Sequence, residues 1–230
     1  MSDGCVLIGE KRMLLTKDVS AASVRSLLQA WEYDFAVIAS VVPACVEALR
    51  AGIGAACHFL NSASPHGICF DDYPDHAHLG ADRLANVLAL KQAPRFPAIA
   101  IDVGTAVTYD ILDVGRCGDF FFLGGVIAPG LSTLRTCLSS ATALLPSVDA
   151  SQPQQWIGKN TIQALQSGAT LGFVGMVRET IAALTLELGC DPYFVVTGGD
   201  ATIVASEVSQ VQQIDADLTL NGLRMLAKCL

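Results

Sequence analysis

Apolar and polar positions follow two different periods along this chain. Residues 34–42 (DFAVIASVV) form a largely β-branched apolar run closed by Pro43, which predicts a buried strand. Apolar residues then recur at helical spacing over 44–56. They do so more clearly over 79–93, where Leu84, Val87, Leu88 and Lys91 stand three and four apart. Pro94 and Pro97 disfavour any continuation of that helix. After the break, 98–102 (AIAID) reads as a short continuous strand. Residues 106–113 and 119–123 read as two more, with a glycine turn at 115–118 between them. Residues 130–141 and 159–189 have helical character, the second as two helices meeting near Gly172 or Gly175. Residues 193–197 (YFVVT) predict a strand ending in Gly198-Gly199, and 200–209 and 217–229 are closing helices. Strands joined by tight turns, then helices, then another strand define an α/β class. The proline break divides the chain into expected halves, 1–96 and 97–230.

Composition narrows the choice. A chain of 230 residues forms one large domain or two compact ones. Hydrophobic residues at 52% against 16% charged exclude a disordered chain. Such apolarity raises the question of a membrane span. Residues 35–43 and 120–131 fall short of the about 20 apolar residues a bilayer needs. Residues 165–177 carry Gln166 and Ser167 and are bounded by Arg178 and Glu179, so all three stretches read as buried strands and helices, with no membrane partner. Asp3, Glu10, Lys11 and Arg12 argue against a signal peptide, which points to the cytoplasm. Eight cysteines are scattered, with no CxxC pair, and read as small buried hydrophobes. The formal charge of -8 disfavours a nucleic-acid partner, which needs a basic footprint.

Four segments could carry chemistry. In Asp102-Val103-Gly104-Thr105-Ala106-Val107-Thr108-Tyr109-Asp110 an acidic residue ends a strand and Gly-Thr turns into the next. Such a glycine lets the backbone approach a phosphate, and a strand-end carboxylate can hold a cation beside it. A plain hairpin with a terminal Asp reads the same way. Gly124-Gly125-Val126-Ile127-Ala128-Pro129-Gly130 reads as a glycine turn before a helix, either open to an anionic or planar ligand or simply a connection. Thr197-Gly198-Gly199-Asp200 again ends a strand in glycines, where α/β proteins place ligands. In Gly80-Ala81-Asp82-Arg83, Asp82 is either a helix cap or a general base with Arg83 beside it as an anion clamp.

In this order the segments resemble the type III pantothenate kinases, from about Val41 to the C-terminus. Ser40-Val41-Val42-Pro43 is similar to that family's SVVP strand end. Tyr73 with Gly80-Ala81-Asp82-Arg83 is similar to its pantothenate signature. Residues 101–110 resemble its second phosphate motif, 124–130 its adenosine motif, and 197–200 its TGG turn. Residues 161–168 (TIQALQSG) resemble the segment given to the neighbouring subunit's substrate site. The resemblance implies two duplicated actin-like (ribonuclease H-like) halves, mixed sheets flanked by helices, and a homodimer. It implies transfer of the γ-phosphate of ATP to the primary hydroxyl of pantothenate, the first committed step of coenzyme A synthesis. Carried over, Asp82 is the general base, Tyr73, Gly80 and Arg83 hold pantothenate, and Thr161 reaches the substrate from the partner subunit. Asp102 ligates a monovalent cation (potassium or ammonium), Gly104 and Thr105 lie by the phosphates, and Gly124, Gly125 and Gly130 line the nucleotide. Mg²⁺ arrives with ATP, keeping most of its waters.

Two departures stand out. Family members open on a strand carrying DxGNT. Here residues 6–8 before Gly9-Glu10 look like the family's second strand, and Asp3-Gly4 lacks the following Asn-Thr. The first strand and its phosphate loop therefore read as missing, which would leave an unpaired sheet edge. A truncated start and a catalytically impaired relative with a regulatory or protein-binding role both fit. A kinase or phosphatase of the same superfamily with another small substrate is a third reading, since fold alone does not fix function. The second departure is a histidine-rich loop. His76 and His78 with Asp71, Asp72 and Asp75 read as a polar loop over the substrate pocket rather than a zinc site. His58 and His66 carry no assigned role.

Overall fold

The computed structural model describes residues 18–54, 56–148, 153 and 155–230. Asp3-Gly4 and residues 6–8 lie outside them. Along the chain the elements are α1 (Ala21–Leu28), β1 (Phe35–Ile38), α2 (Pro43–Ile53), β2 (Ala56–Phe59), β3 (Ile68–Cys69), α3 (Ala81–Leu90), β4 (Ala98–Val103), β5 (Ala106–Val114), β6 (Phe120–Pro129), α4 (Leu131–Ala141), α5 (Thr161–Leu188), β7 (Tyr193–Thr197), α6 (Ala201–Glu207), β8 (Val211–Ile214) and α7 (Leu218–Ala227). A 3₁₀ turn at His76–His78 precedes α3. This is a mixed α/β fold with helices flanking its sheets. The chain divides into two compact units. The first holds Met1–Gln92, Gly115–Phe122 and Asp217–Leu230; the second holds Ala93–Val114 and Leu123–Ala216.

In the first unit β1 and β2 pair in parallel, from Phe35 opposite Ala56 to Ile38 opposite Phe59. α1 opens on a reciprocal cap. The Ser20 hydroxyl accepts from the Ser23 N–H at 3.1 Å, and the Ser20 N–H donates back to Ser23 Oγ at 2.9 Å. α7 joins this unit because it lies directly on α3. A Cβ at Gly222 would overlap the Ala85 carbonyl, and Thr219 Oγ1 donates to Asn86 Oδ1 at 2.7 Å. In α3 only Asp82 and Arg83 escape burial. β3 pairs in parallel with Phe120 and Phe121 at the start of β6.

In the second unit β4 is central. It runs antiparallel to β5 (Ala98 opposite Leu112, Val103 opposite Val107) and parallel to β7 (Ala98 opposite Tyr193, Asp102 opposite Thr197). β8 lies parallel beyond β7. Successive side chains of a strand face opposite ways. Ile99, Ile101, Val103, Val107, Tyr109, Phe194 and Val196 thus share one fully buried face with Phe173, Val177 and Ile181 of α5. Asp102, Thr108, Asp110 and Thr197 occupy the alternate positions.

Several sequence expectations need correction. The region 159–189 is one helix of 28 residues rather than two. Gly172 and Gly175 have open space where a side chain would stand, so they lie on its outer face. A helical glycine costs about 1 kcal/mol against alanine. The buried stripe of Phe173, Val177 and Ile181 outweighs that, since one core Phe alone is worth about 3–5 kcal/mol. Asn160 Oδ1 caps the helix by accepting from the Gln163 N–H at 2.9 Å, and Gly189 ends it in the left-handed region. Among the described residues α5 is the one helix long and apolar enough to cross a membrane. One stripe of it, with Phe173, Val177 and Ile181, is buried in the second unit's core. Gly124 and Gly125 lie inside strand β6, not in a turn. Strand pairing overrides the weak strand preference of glycine there. The seven described cysteines are free but none is fully buried. Cys117, Cys190 and Cys229 sit in a turn, after a helix end and by the C-terminus, where no core reaches them.

Candidate functional site

The candidate residues fall into both units. In the second, Asp102 is the penultimate residue of β4, with Thr108 and Thr197 as its strand neighbours. Gly198, at φ 94°, follows β7. A Cβ there would stand 2.5 Å from the Val103 carbonyl oxygen and 2.7 Å from Asp102 Oδ1. Both the backbone angle and the space therefore demand glycine, and the Gly198 main chain runs against the Asp102 carboxylate. The Asp200 N–H donates to the Val103 carbonyl at 3.2 Å, fixing this second turn to the end of β4.

The Gly104-Thr105 turn is tied to the start of α4. The Gly104 N–H donates to the Ala106 carbonyl at 3.0 Å, which closes the turn. The Thr105 carbonyl accepts from the Gly130 N–H at 2.9 Å and from Thr133 Oγ1 at 2.7 Å. A Cβ on Gly130 would overlap the Gly104 carbonyl oxygen. Gly130 is the N-cap of α4 and supplies no capping side chain. The first N–H groups of α4 thus stand beside a glycine turn, an arrangement suited to phosphate oxygens. Gly124 is buried and Gly125 exposed, both upstream in β6.

The chemistry of the donors decides which cation fits. A partly exposed carboxylate among backbone carbonyls and threonine hydroxyls offers hard oxygen ligands. That suits an alkali, ammonium or magnesium ion and not a thiophilic metal. Among the described residues no cluster of three His, Cys, Asp or Glu side chains forms a metal centre. In the histidine-rich loop, His78 Nδ1 pairs with Asp75 Oδ1 at 2.5 Å, and that carboxylate raises the exposed imidazole's pKa.

In the first unit Gly80 caps α3 through its backbone alone, so Asp82 is not the cap. Asp82 lies in the first turn, where the helix dipole favours a carboxylate. Its Oδ1 accepts from the Arg83 N–H at 2.8 Å, the one hydrogen bond its side chain makes among the described residues. A Cβ at Gly80 would come within 2.6 Å of that Oδ1, so the carboxylate leans back over Gly80. Tyr73 is held by its N–H to the Phe70 carbonyl at 2.9 Å, and its ring meets Phe122 edge-on at 5.0 Å. Phe122 is fully buried, and Phe70 packs against it at 6.0 Å. Sequence reasoning missed this Phe70–Phe122 support, although the Phe120-Phe121-Phe122 run was its signal. Thr161 is the exposed first residue of α5.

The type III pantothenate kinase family matches residues 8–183 of this chain. A type III pantothenate kinase of Akkermansia muciniphila is 42% identical over 221 residues, covering 96% of this chain and 89% of that protein. One from Methylacidiphilum infernorum is 37% identical over 227 residues, covering 96% and 82%. Among solved structures, a conserved Baf family protein of Campylobacter jejuni shares the fold with a TM-score of 0.59 at 19% identity, covering 88% of this chain and 86% of that one.

Proposed function

We propose that Asp82 is the general base of the reaction this chain catalyses, for the chain belongs to the type III pantothenate kinase family. It phosphorylates pantothenate with ATP in coenzyme A synthesis. The observation that carries this is the family match over residues 8–183, which contains Asp82 and every other residue assigned to the site.

The resemblance assigns the roles residue by residue, and local geometry supports them. Asp82 takes the proton as the primary hydroxyl oxygen of pantothenate attacks the γ-phosphorus. The new O–P bond forms while the bond from that phosphorus to the β–γ bridging oxygen breaks, leaving ADP. A carboxylate within hydrogen-bond reach of the hydroxyl suffices, because phosphoryl transfer depends on positioning and charge neutralisation more than on covalent help. Arg83, the other residue of α3 that escapes burial, is assigned to the pantothenate carboxylate. Tyr73 and Gly80 are assigned to the wall of the pantothenate site. The Gly104-Thr105 turn and the first N–H groups of α4 are assigned to the phosphates, and Gly124, Gly125 and Gly130 to the nucleotide. Asp102 is assigned to a potassium or ammonium ion, on the strength of its hard oxygen surroundings. Bound with the nucleotide, Mg²⁺ would supply charge neutralisation at the phosphoryl group, as would a monovalent ion held by Asp102.

We assign residues 1–96 and 97–230 to the family's two actin-like halves and the enzyme to the cytosol. We also assign a homodimer. The outer face of α5 exposes Gly168, Leu171, Gly172, Gly175 and Leu186, an apolar and small surface that supports subunit pairing. Thr161 starts that helix and is assigned to the partner's substrate.

Incubation with pantothenate, Mg-ATP and potassium or ammonium is expected to give phosphopantothenate and ADP in equal amounts. A folded chain that yields ADP alone, or neither product, overturns the reading. Gly80→Ala sharpens the assignment of Asp82. The obstacle to the new methyl is the end of a side chain, which rotates aside at little cost to the fold. We expect kcat to fall about 10- to 100-fold through misplacement of the carboxylate, with stability nearly unchanged. Unaltered kcat in steady-state assays would remove Asp82 from the chemistry.

A further inference from the structure

The connection from β2 to β3, residues 60–67, is built around imidazoles that the reaction does not use. His66 is only 7% exposed. Its Nδ1 accepts from the Ile68 N–H at 3.0 Å, and its Nε2 lies 2.9 Å from the Ser62 carbonyl. A nitrogen that accepts from a backbone N–H carries no proton, so Nε2 is the protonated nitrogen and donates to Ser62. The ring is therefore neutral, with both nitrogens engaged. Next to it, His58 Nε2 meets Ser64 Oγ at 2.7 Å, and the same hydroxyl accepts from the Asn61 N–H at 3.1 Å.

The bond to Ile68 anchors more than one residue. Ile68 is the first of only two residues in β3. Phe70, just beyond that strand, packs edge-on against the His66 ring at 5.2 Å. It also stacks on His76 at 5.0 Å and abuts Phe122 at 6.0 Å. The Phe70 carbonyl holds the Tyr73 N–H, and the Tyr73 ring rests on Phe122. One imidazole thus fixes the start of the strand and the ring behind Tyr73.

We propose that His66 is a proton-operated latch on the substrate loop: neutral, it pins β3 and Phe70; protonated, it releases them and loosens the wall at Tyr73. A proton added at Nδ1 would face the Ile68 N–H, a donor, in place of an acceptor. Two other groups oppose the charge. Lys91 at the end of α3 donates Nζ to the His66 carbonyl at 3.0 Å, and His76 faces from the 3₁₀ turn. Among the described residues no carboxylate acts on the ring to favour its charged form. Burial is the largest influence and lowers the pKa from the ordinary 6.5; the Ser62 carbonyl pulls the other way, while Lys91 and His76 lower it further. The unfolded chain therefore binds this proton more readily than the folded one. The stabilisation is complete above about pH 6.5 and is lost as pH falls from there through the folded pKa.

The link to pantothenate rests on the assignment of Tyr73 to the substrate wall; the latch itself does not. The test follows pantothenate KM, ATP KM, kcat and the unfolding midpoint from pH 8 to pH 5.5, with histidine Cε1–H shifts read by NMR. For the native chain the pantothenate KM should climb as pH falls, toward roughly tenfold per unit below the ring's pKa, the limit for one linked proton. The ATP KM should stay level, and the midpoint should fall over the same range. His66→Asn keeps an acceptor for Ile68 but does not titrate, so its pantothenate KM should be flat. If that variant does not fold, replacing each of the other three histidines in turn assigns the remaining resonance. A His66 resonance titrating at or above 6.5 overturns the proposal, as does a native KM profile that the Asn variant reproduces. Should the chain not phosphorylate pantothenate at all, the functional reading fails, while NMR and unfolding still decide the latch.

Discussion

Asp82→Asn is expected to remove most phosphoryl transfer while leaving the fold and ATP binding in place. Asparagine has nearly the same shape and keeps an oxygen to accept from the Arg83 N–H, the contact now made at 2.8 Å. It cannot take a proton from a hydroxyl. A positioned base contributes about 10²- to 10⁴-fold, so kcat should fall by that factor. The lost helix-dipole interaction is worth only about 0.3–1 kcal/mol, too little to unfold the chain. Low turnover in a protein that melts normally and still binds ATP would therefore report the chemistry and not the fold. Steady-state kinetics beside thermal unfolding and calorimetric ATP binding make the comparison. Native turnover from the variant would show that another group, or solvent, takes the proton.

The pattern of apolar residues located some of this fold closely. The strand 193–197 coincides with β7, and the run 98–102 lies within β4, because both are continuous apolar runs bounded by glycine or proline. β2, β3 and β8 were not legible. They are two to four residues long, too short to show a period, and pairing with neighbours far along the chain defines them. The single helix α5 was misread because its glycines suggested a break, while the packing of Phe173, Val177 and Ile181 could not be seen in one dimension. The candidate site divides the same way. Asp82, Asp102 and the Gly-Thr turn were legible as motifs. The overlap of Gly130 with Gly104, the Phe122 support of Tyr73 and the two bonds of His66 were not, since each joins residues that only folding brings together. His66 is the clearest case. A single buried histidine has no sequence pattern, yet both its nitrogens are committed.

Gly130→Ala is expected to damage ATP use severely, for a reason opposite to that at Gly80. The methyl would overlap the Gly104 carbonyl oxygen and come within 2.7 Å of the Thr105 carbonyl oxygen. Both obstacles are main chain, so no side-chain rotation relieves them. Either the Gly104-Thr105 turn or the start of α4 must move, straining the Gly130 N–H bond to Thr105 and the Thr133 hydroxyl bond to the same carbonyl. Overpacking of this kind costs about 1–3 kcal/mol, which lowers the unfolding midpoint without abolishing the fold. The functional loss should be larger than the structural one. A displacement of about 1 Å in a positioning group can cost about 100-fold, and here it falls on the turn assigned to the phosphates. ATP affinity should therefore drop by about that factor in calorimetry, while pantothenate, assigned chiefly to Tyr73, Gly80 and Arg83 of the first unit, should bind nearly as before. Gly80→Ala should show the converse, with ATP affinity intact and kcat reduced. Native ATP affinity in a Gly130→Ala protein whose midpoint has fallen would mean that the turn moved without consequence, and the phosphates would have to be held elsewhere. Loss of both ligands together would instead point to a general collapse, which the unfolding midpoint measured beside it would expose.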